Sequence, residues 1–250
     1  MNILVTFAVQ AEFTPWQKRR NFCRVPGDWP MFESEFGGAR VRVILTGMGQ
    51  SHALEAARRV LPQRPDICIS TGLAGALRSG FYPGDILVAR LVSEAGEPVA
   101  VASHRELLST AVDCGAKQVE RFATSRTVVS SALQKRRLGN DAEAVEMESY
   151  TILAEAARYG VPSVAIRAIS DTVDFDMPYN FESACDARGQ IRIAGIVSQV
   201  LRRPTGLPAL LTLARDCRTA SRHLADFLDV FAGTLSDRLI PIEPDAVAAL

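Results

Sequence analysis

Several short motifs in this 250-residue chain hold residue types that can do chemistry. Phe7-Ala8-Val9-Gln10-Ala11-Glu12 ends a strand-like run with a carboxylate. Ligands of open α/β sheets bind beyond the carboxyl ends of strands, so Glu12 stands where a general base can sit. Its plainer reading is a first-turn helical Glu favoured by the helix dipole. Arg167-Ala168-Ile169-Ser170-Asp171 closes an apolar run and delivers Arg, Ser and Asp together. In a partly dry pocket Asp171 would hold a proton, because desolvation raises a carboxyl pKa. An N-cap Asp is the alternative. Val145-Glu146-Met147-Glu148 opens a helical stretch. Its two carboxylates point in different directions and do not make an acid/base pair. One of them suits a ligand diol, since a carboxylate offers two acceptor oxygens; a solvated helix start is the other reading.

Two glycine-containing segments, Thr46-Gly47-Met48-Gly49-Gln50 and Ser70–Leu77, let backbone approach a ligand closely. Neither is a phosphate loop, since no Gly-Lys-Ser/Thr follows, and neither is a full dinucleotide fingerprint. Tight turns are the plainer reading. His52, His104 and His223 fall into no Ser/His/Asp order and no metal-ligand spacing. No metal site is expected.

These motifs need elements to hold them. Val41–Thr46, Asp66–Thr71 and Ser163–Ile169 are β-branched runs bounded by turn residues, as in buried parallel strands. Gly84–Val88 and Arg126–Val129 are further expected strands. Ser51–Leu61 and Glu148–Tyr159 carry helical spacing, and Gly160-Val161-Pro162 stops the second helix. This alternation argues for a layered α/β fold. After Arg202-Arg203-Pro204, apolar residues from Leu207 to Phe231 recur at helical intervals, which predicts a long amphipathic helix or a helical hairpin. Pro241-Ile242-Glu243-Pro244 reads as an extended tail. The expected organisation is a main domain over 1–201 and a helical appendix with tail over 202–250.

Composition narrows the classes. The chain balances 28 basic against 28 acidic residues and is 48% hydrophobic, which excludes charge-driven disorder. A nucleic-acid binder normally shows a basic excess, so none is expected as partner. The zero conceals polarity, because residues 202–223 carry +4 and 224–250 carry −4. Of the 28 positive charges, 25 are Arg and three are Lys: Lys18, Lys117 and Lys135. The five cysteines are scattered without a C-x-x-C pair, so reduced thiols in a cytoplasmic protein are expected. No signal-peptide pattern opens the chain, and no apolar run reaches the roughly 18 residues that span a bilayer.

Taken in order, the motifs resemble the nucleoside phosphorylase superfamily. Glu12, the Gly-x-Gly turn, T-G-x-A-G, G-D-I-x-V, V-E-M-E and G-V-P…R-A-I-S-D follow the family pattern over roughly residues 2–200. Within it the chain looks most like 5′-methylthioadenosine/S-adenosylhomocysteine nucleosidases. The resemblance implies a three-layer α/β sandwich around a mixed, partly closed β-sheet. It implies cleavage of the N-glycosidic bond of a small-molecule purine nucleoside, with no cofactor, in a homodimer. Carried over residue by residue, Glu12 matches the base that activates water. Met147 and Glu148 match the ribose-binding residues, and Arg167 the strand arginine near the nucleophile. Ser170 and Asp171 match the pair that protonates purine N7. Gly72 and Gly75 match the backbone turn beside base and sugar. Ala8, Met48, Gly72, Arg167 and Ser170 are expected around nucleophile and substrate.

The chain also departs from the pattern. Leu73 stands where the family usually carries Ser, which puts nucleophile handling in question. The segment Ser130–Asn140 lacks the aromatic that the family lays against adenine, so the base pocket is either more open or covered by another segment. Residues 201–228 resemble the extension of hopanoid-associated nucleoside phosphorylases. A basic amphipathic helix of this kind can rest on a membrane surface; packing on the domain or on a second copy is the plainer expectation. The leading expectation is hydrolytic release of adenine from a 5′-substituted adenosine such as methylthioadenosine or S-adenosylhomocysteine. Phosphorolysis, including that of an adenosyl-hopanoid lipid, is the second. A non-catalytic nucleoside-binding protein is the third.

Overall fold

A computed structural model describes residues 1–184, 186, 189 and 192–237. In chain order the first half comprises β1 (Asn2–Phe7), α1 (Gln10–Arg20), β2 (Cys23–Val25), β3 (Met31–Phe36), β4 (Ala39–Leu45), α2 (Gln50–Val60), β5 (Ile67–Ala76), β6 (Ile86–Glu94) and β7 (Ala100–Ala102). Then follow α3 (Arg105–Asp113), β8 (Lys117–Thr124), α4 (Ala132–Leu138), β9 (Ala144–Glu146), α5 (Ser149–Arg158), β10 (Ser163–Asp171), α6 (Ile193–Arg202) and α7 (Leu207–Asp237).

All the described strands join one mixed sheet, in the order β10-β6-β8-β9-β5-β1-β4-β3-β2, with β7 beside β6. β5 also pairs with β10, so β10, β6, β8, β9 and β5 close into a five-stranded barrel. The expected mixed, partly closed sheet is what forms. β4, β1, β5 and β10 run parallel; β3 runs antiparallel to β4, and β6 runs antiparallel to β10 but parallel to β8. Every residue of β10 is buried, as a strand covered on both faces requires.

The period-2 alternation of strand side chains sorts the core into two halves. Ile3, Val5 and Phe7 of β1 join Ile67, Ile69, Val164 and Ile166 on one face. Leu4 joins Cys68, Ala165 and Ile169 on the other. The first face is covered by α1, α3 and α7, the second by α2 and α5. That makes the three layers. Gly160 takes φ +67° just past α5, the left-handed turn that ends the helix.

Residues 207–237 form a single long helix, α7, not a hairpin, and its apolar face is buried in the first core half. Ala220, Leu224, Phe227, Leu228, Phe231 and Leu235 lie there with Phe13, Trp16 and Phe22. Trp16 Nε1 donates to Asp229 Oδ1 at 2.7 Å. Among the described residues, no helix is long and apolar enough to cross a membrane. Cys185 and the Pro241–Pro244 tail lie outside the described residues.

Two expectations change. Arg126–Val129 is a loop. The strand lies just upstream at Lys117–Thr124, where polar residues interrupt the apolar pattern that marks the other strands. Beyond it, the Ser125 hydroxyl donates to Thr127 O at 2.7 Å and turns the chain away. The Gly72–Gly75 segment is not a turn either, because β5 continues through it to Ala76. Its parallel partner β10 pairs Arg167 with Gly72 and Ala168 with Leu73, and the register shifts between Ile169 and Asp171.

Phe231 is fully buried. Replacing it by Ala is expected to lower the unfolding free energy by about 3–5 kcal/mol. Urea denaturation reads this directly, and a loss below about 1 kcal/mol would mean that α7 is peripheral to the fold.

Candidate active site

The carboxyl ends of β1, β5 and β10 open into a cavity of about 510 Å³. Ala8, Glu12, Met48, Gly75, Met147, Glu148, Ser170 and Asp171 all line it. Residues that lie 163 positions apart in sequence, Ala8 and Asp171, thus share one wall.

Glu12 sits in the first turn of α1 and lines the cavity. The Ala8 and Val9 N–H groups donate to Oε2 at 3.1 and 3.3 Å, and the Leu73 N–H donates to Oε1 at 3.1 Å. Burial pushes its carboxyl above the ordinary value, against the pull of the Leu73 N–H and the Arg167 charge. Gly72 lies directly beneath. A Cβ there would come within 3.0 Å of Glu12 Oε2, and Gly72 takes φ +146°, which a side chain rarely adopts. Gly72 itself does not line the cavity. It leaves room for the Glu12 carboxyl. Leu73 contributes through its N–H, which any residue but proline supplies, while its side chain lines the wall.

Glu146 and Glu148 divide their roles. Glu146 accepts from Arg167 Nη2 at 2.6 Å, from the Glu148 and Ser149 N–H groups at 2.9 and 2.7 Å, and from the Thr124 hydroxyl. Burial alone would raise its pKa, but Arg167, Thr124 and the backbone N–H hold it below the usual carboxylate range. Glu148 accepts only one close hydrogen bond, from the Gly49 N–H at 2.7 Å, with Arg167 Nη2 at 3.8 Å. Burial and the neighbouring Glu146 charge push it up to about 8. Glu148 is therefore a neutral acid at pH 7, able to donate to one hydroxyl and accept from another.

Arg167 is placed differently from expectation. It is 1% exposed and does not line the cavity. Its guanidinium lies beneath the carboxylates, on Glu146 and near Glu148 and Ser70. It reaches the site by its field, not by contact.

At the end of β10, Ser170 Oγ lies 2.6 Å from Asp171 Oδ1, to which it donates, and 3.2 Å from Ala74 O. Asp171 Oδ2 accepts from Lys135, whose side chain is fully buried. The helix α7 adds Leu213, Cys217, Arg218 and Ser221 to the cavity wall. Burial and the Asp171 and Glu12 charges push the Cys217 thiol up to about 12, so it is an inert wall and not a nucleophile. Val128, Val129, Met177 and Phe181 line the cavity as well, so an aromatic is present, from a segment downstream of the expected one.

A sequence model described as the phosphorylase superfamily matches residues 6–202. The chain belongs to the phosphorylase superfamily. Solved structures share the fold. The Helicobacter pylori MTAN mutant with 5′-methylthioadenosine in its active site superimposes with a TM-score of 0.73 at 17% identity, over 93% of this chain and 98% of that one. Native futalosine hydrolase of Helicobacter pylori gives 0.73 at 18% identity, over 94% and 98%. The 5′-methylthioadenosine/S-adenosylhomocysteine nucleosidase of Neisseria meningitidis, in complex with methylthio-immucillin-A, gives 0.72 at 20%, over 93% and 99%.

In this phosphorylase-superfamily chain, two site features escape sequence reasoning. Lys135 sits within Lys135-Arg136-Arg137, which reads as a solvated face, and its partner lies 36 residues downstream. The signal that marks it is rarity, one of three lysines among 28 basic residues. The α7 wall is the other, since helical periodicity does not say what a helix covers.

The Glu148 shift has a stability consequence. Its folded value, about 8, lies above its unfolded value of 4.5. The native state thus keeps a proton that the unfolded state releases, and stability falls as pH rises through that window. Glu148→Gln removes the effect. The variant is expected to gain on wild type by more than about 1 kcal/mol between pH 5 and 9, read from denaturation curves across that range. Parallel pH curves for the two proteins would refute the assignment.

Proposed function

We propose that this chain hydrolyses the N-glycosidic bond of a 5′-substituted adenosine and releases adenine. The observation that carries the reading is the convergence of Glu12, Glu148 and Asp171 on one cavity, each held by different partners. In this reading Asp171 and Ser170 face purine N7. The C1′–N9 bond breaks, its electron pair goes to the purine, and N7 takes a proton from the Asp171 side. Glu148 holds the ribose hydroxyls, donating to one and accepting from another. Glu12 takes a proton from the water whose oxygen bonds to C1′.

Charge supports water over phosphate. Glu12, Glu146 and Asp171 line the cavity, and a carboxylate repels a phosphate nucleophile. The walls from α1 and α7 include Ala11, Pro15, Leu213 and Ala214, which suits an uncharged 5′ group. A homodimer in the cytoplasm belongs to the same reading and rests on the family resemblance alone. One observation favours the second reading, phosphorolysis of an adenosyl compound that can carry a lipid-like 5′ group. Arg218 also lines the cavity and offers a cation for a phosphate.

The deciding experiment is adenine release from methylthioadenosine with and without phosphate. Release without phosphate is the expected result. A strict phosphate requirement would turn the reading to phosphorolysis, and no release from any 5′-substituted adenosine would leave a binding protein. Glu12→Gln is expected to lower kcat by about 10²–10⁴. It is a cleaner probe than Asp171→Asn, which strips the buried Lys135 of its counter-charge.

A further inference from the structure

Lys135 takes no part in the steps above, yet the fold goes to some length to bury it. It lies on α4, its side chain is fully buried, and it does not line the cavity. Its three ammonium hydrogens have three acceptors: Asp171 Oδ2, Thr172 O at 2.9 Å and Phe175 O at 2.8 Å. The Phe175 ring lies 5.8 Å from Nζ. A buried ammonium is tolerated only when paired and hydrogen-bonded, and this one is.

The pairing bears on the chemistry. Asp171 accepts from an ammonium at one oxygen and lies beside a serine hydroxyl at the other, so the ammonium is the nearest store of protons behind it. In this geometry the proton that a departing purine needs is on Nζ. Oδ2 is the oxygen that can pass it on, because it holds the ammonium and belongs to a residue that lines the cavity. A Cβ at Gly75, which lines the wall, would stand 3.1 Å from Oδ2.

We propose that Lys135 is a positioning residue that acts through Asp171, fixing its carboxylate and serving as the proton reservoir for the leaving purine. The inference rests on the N-glycosidase reading above and deepens it. As C1′–N9 breaks and its electron pair enters the purine, one N–H bond of Lys135 breaks and the proton moves to Oδ2. The same proton then leaves Oδ2 for N7. The purine departs neutral, Asp171 is a carboxylate again and Lys135 is a neutral amine. After the products leave, Glu12 gives the proton it took to water filling the cavity, and that water passes one on through Oδ2 to Nζ, so both groups are reset. Two coupled groups sharing one proton act as a unit, so the acid belongs to the pair.

The test compares leaving groups. Methylthioadenosine needs a proton on its purine, whereas a 4-nitrophenyl 5-methylthioriboside releases a stable phenolate and needs none. Lys135→Met keeps the volume and removes the proton source. It is expected to lower kcat for adenine release by about 10²-fold or more while changing nitrophenolate release by less than about 3-fold. Equal losses on both substrates, or none on either, would overturn the proposal. Should Lys135→Met not fold, Lys135→Arg keeps the ion pair but does not surrender its proton. The same selective loss on adenine supports the proposal, and wild-type adenine release overturns it by showing that charge alone suffices. Wild type cleaving neither substrate would instead refute the glycosidase reading itself.

Discussion

Everything at this site depends on keeping several carboxylates together out of water. Glu12, Glu146, Glu148 and Asp171 are all buried around one cavity. Four such groups cannot ionise side by side in a dry interior without compensation. The compensation comes from beneath, through Arg167 on Glu146 and Lys135 on Asp171, both at or below 1% exposure. Glu12 relies on backbone N–H groups, and Glu148 escapes the problem by staying protonated. Glu12, Glu146 and Glu148 are thereby given different proton affinities by different surroundings. In the proposed reaction, that difference is what would let chemically similar groups take the roles of base, hydrogen-bonding acid and proton relay.

The barrel is the device that makes this arrangement rigid. Arg167 and Asp171 lie on β10, Glu146 on β9 and Leu73 on β5. These strands are hydrogen-bonded around a closed ring, without a free edge to slip. The register shift between Ile169 and Asp171 falls where Ser170 and Asp171 must both face the site. Bulges near active sites commonly re-aim side chains in this way.

The sequence made the central strands and helices legible because their apolar runs are bounded by clear stop signals, as at Gly160. It also grouped Glu12, Met147, Glu148, Ser170 and Asp171, whose motif order resembles a known family. What stayed hidden has physical reasons. β8 alternates polar and apolar residues under a barrel wall, so no continuous apolar run announces it. Gly72 and Gly75 look like turn formers, although here they make room inside a strand. Arg167 reads as a residue at a strand end, and only burial shows that it underlies the site. Lys135 belongs to a pair that no local pattern encodes.

The placement of α7 has a consequence for how the molecule is made. β1, β5 and β10 are all synthesised before residue 207, so the carboxylates and their cations can assemble first. The helix that covers Phe13, Trp16 and Phe22 emerges later than every strand. During that interval a nascent chain carries an uncovered aromatic patch beside a nearly complete barrel. Such surfaces are where partly folded chains associate with one another or with chaperones. The last described helix is thus also the piece that ends the chain's exposure to misassembly.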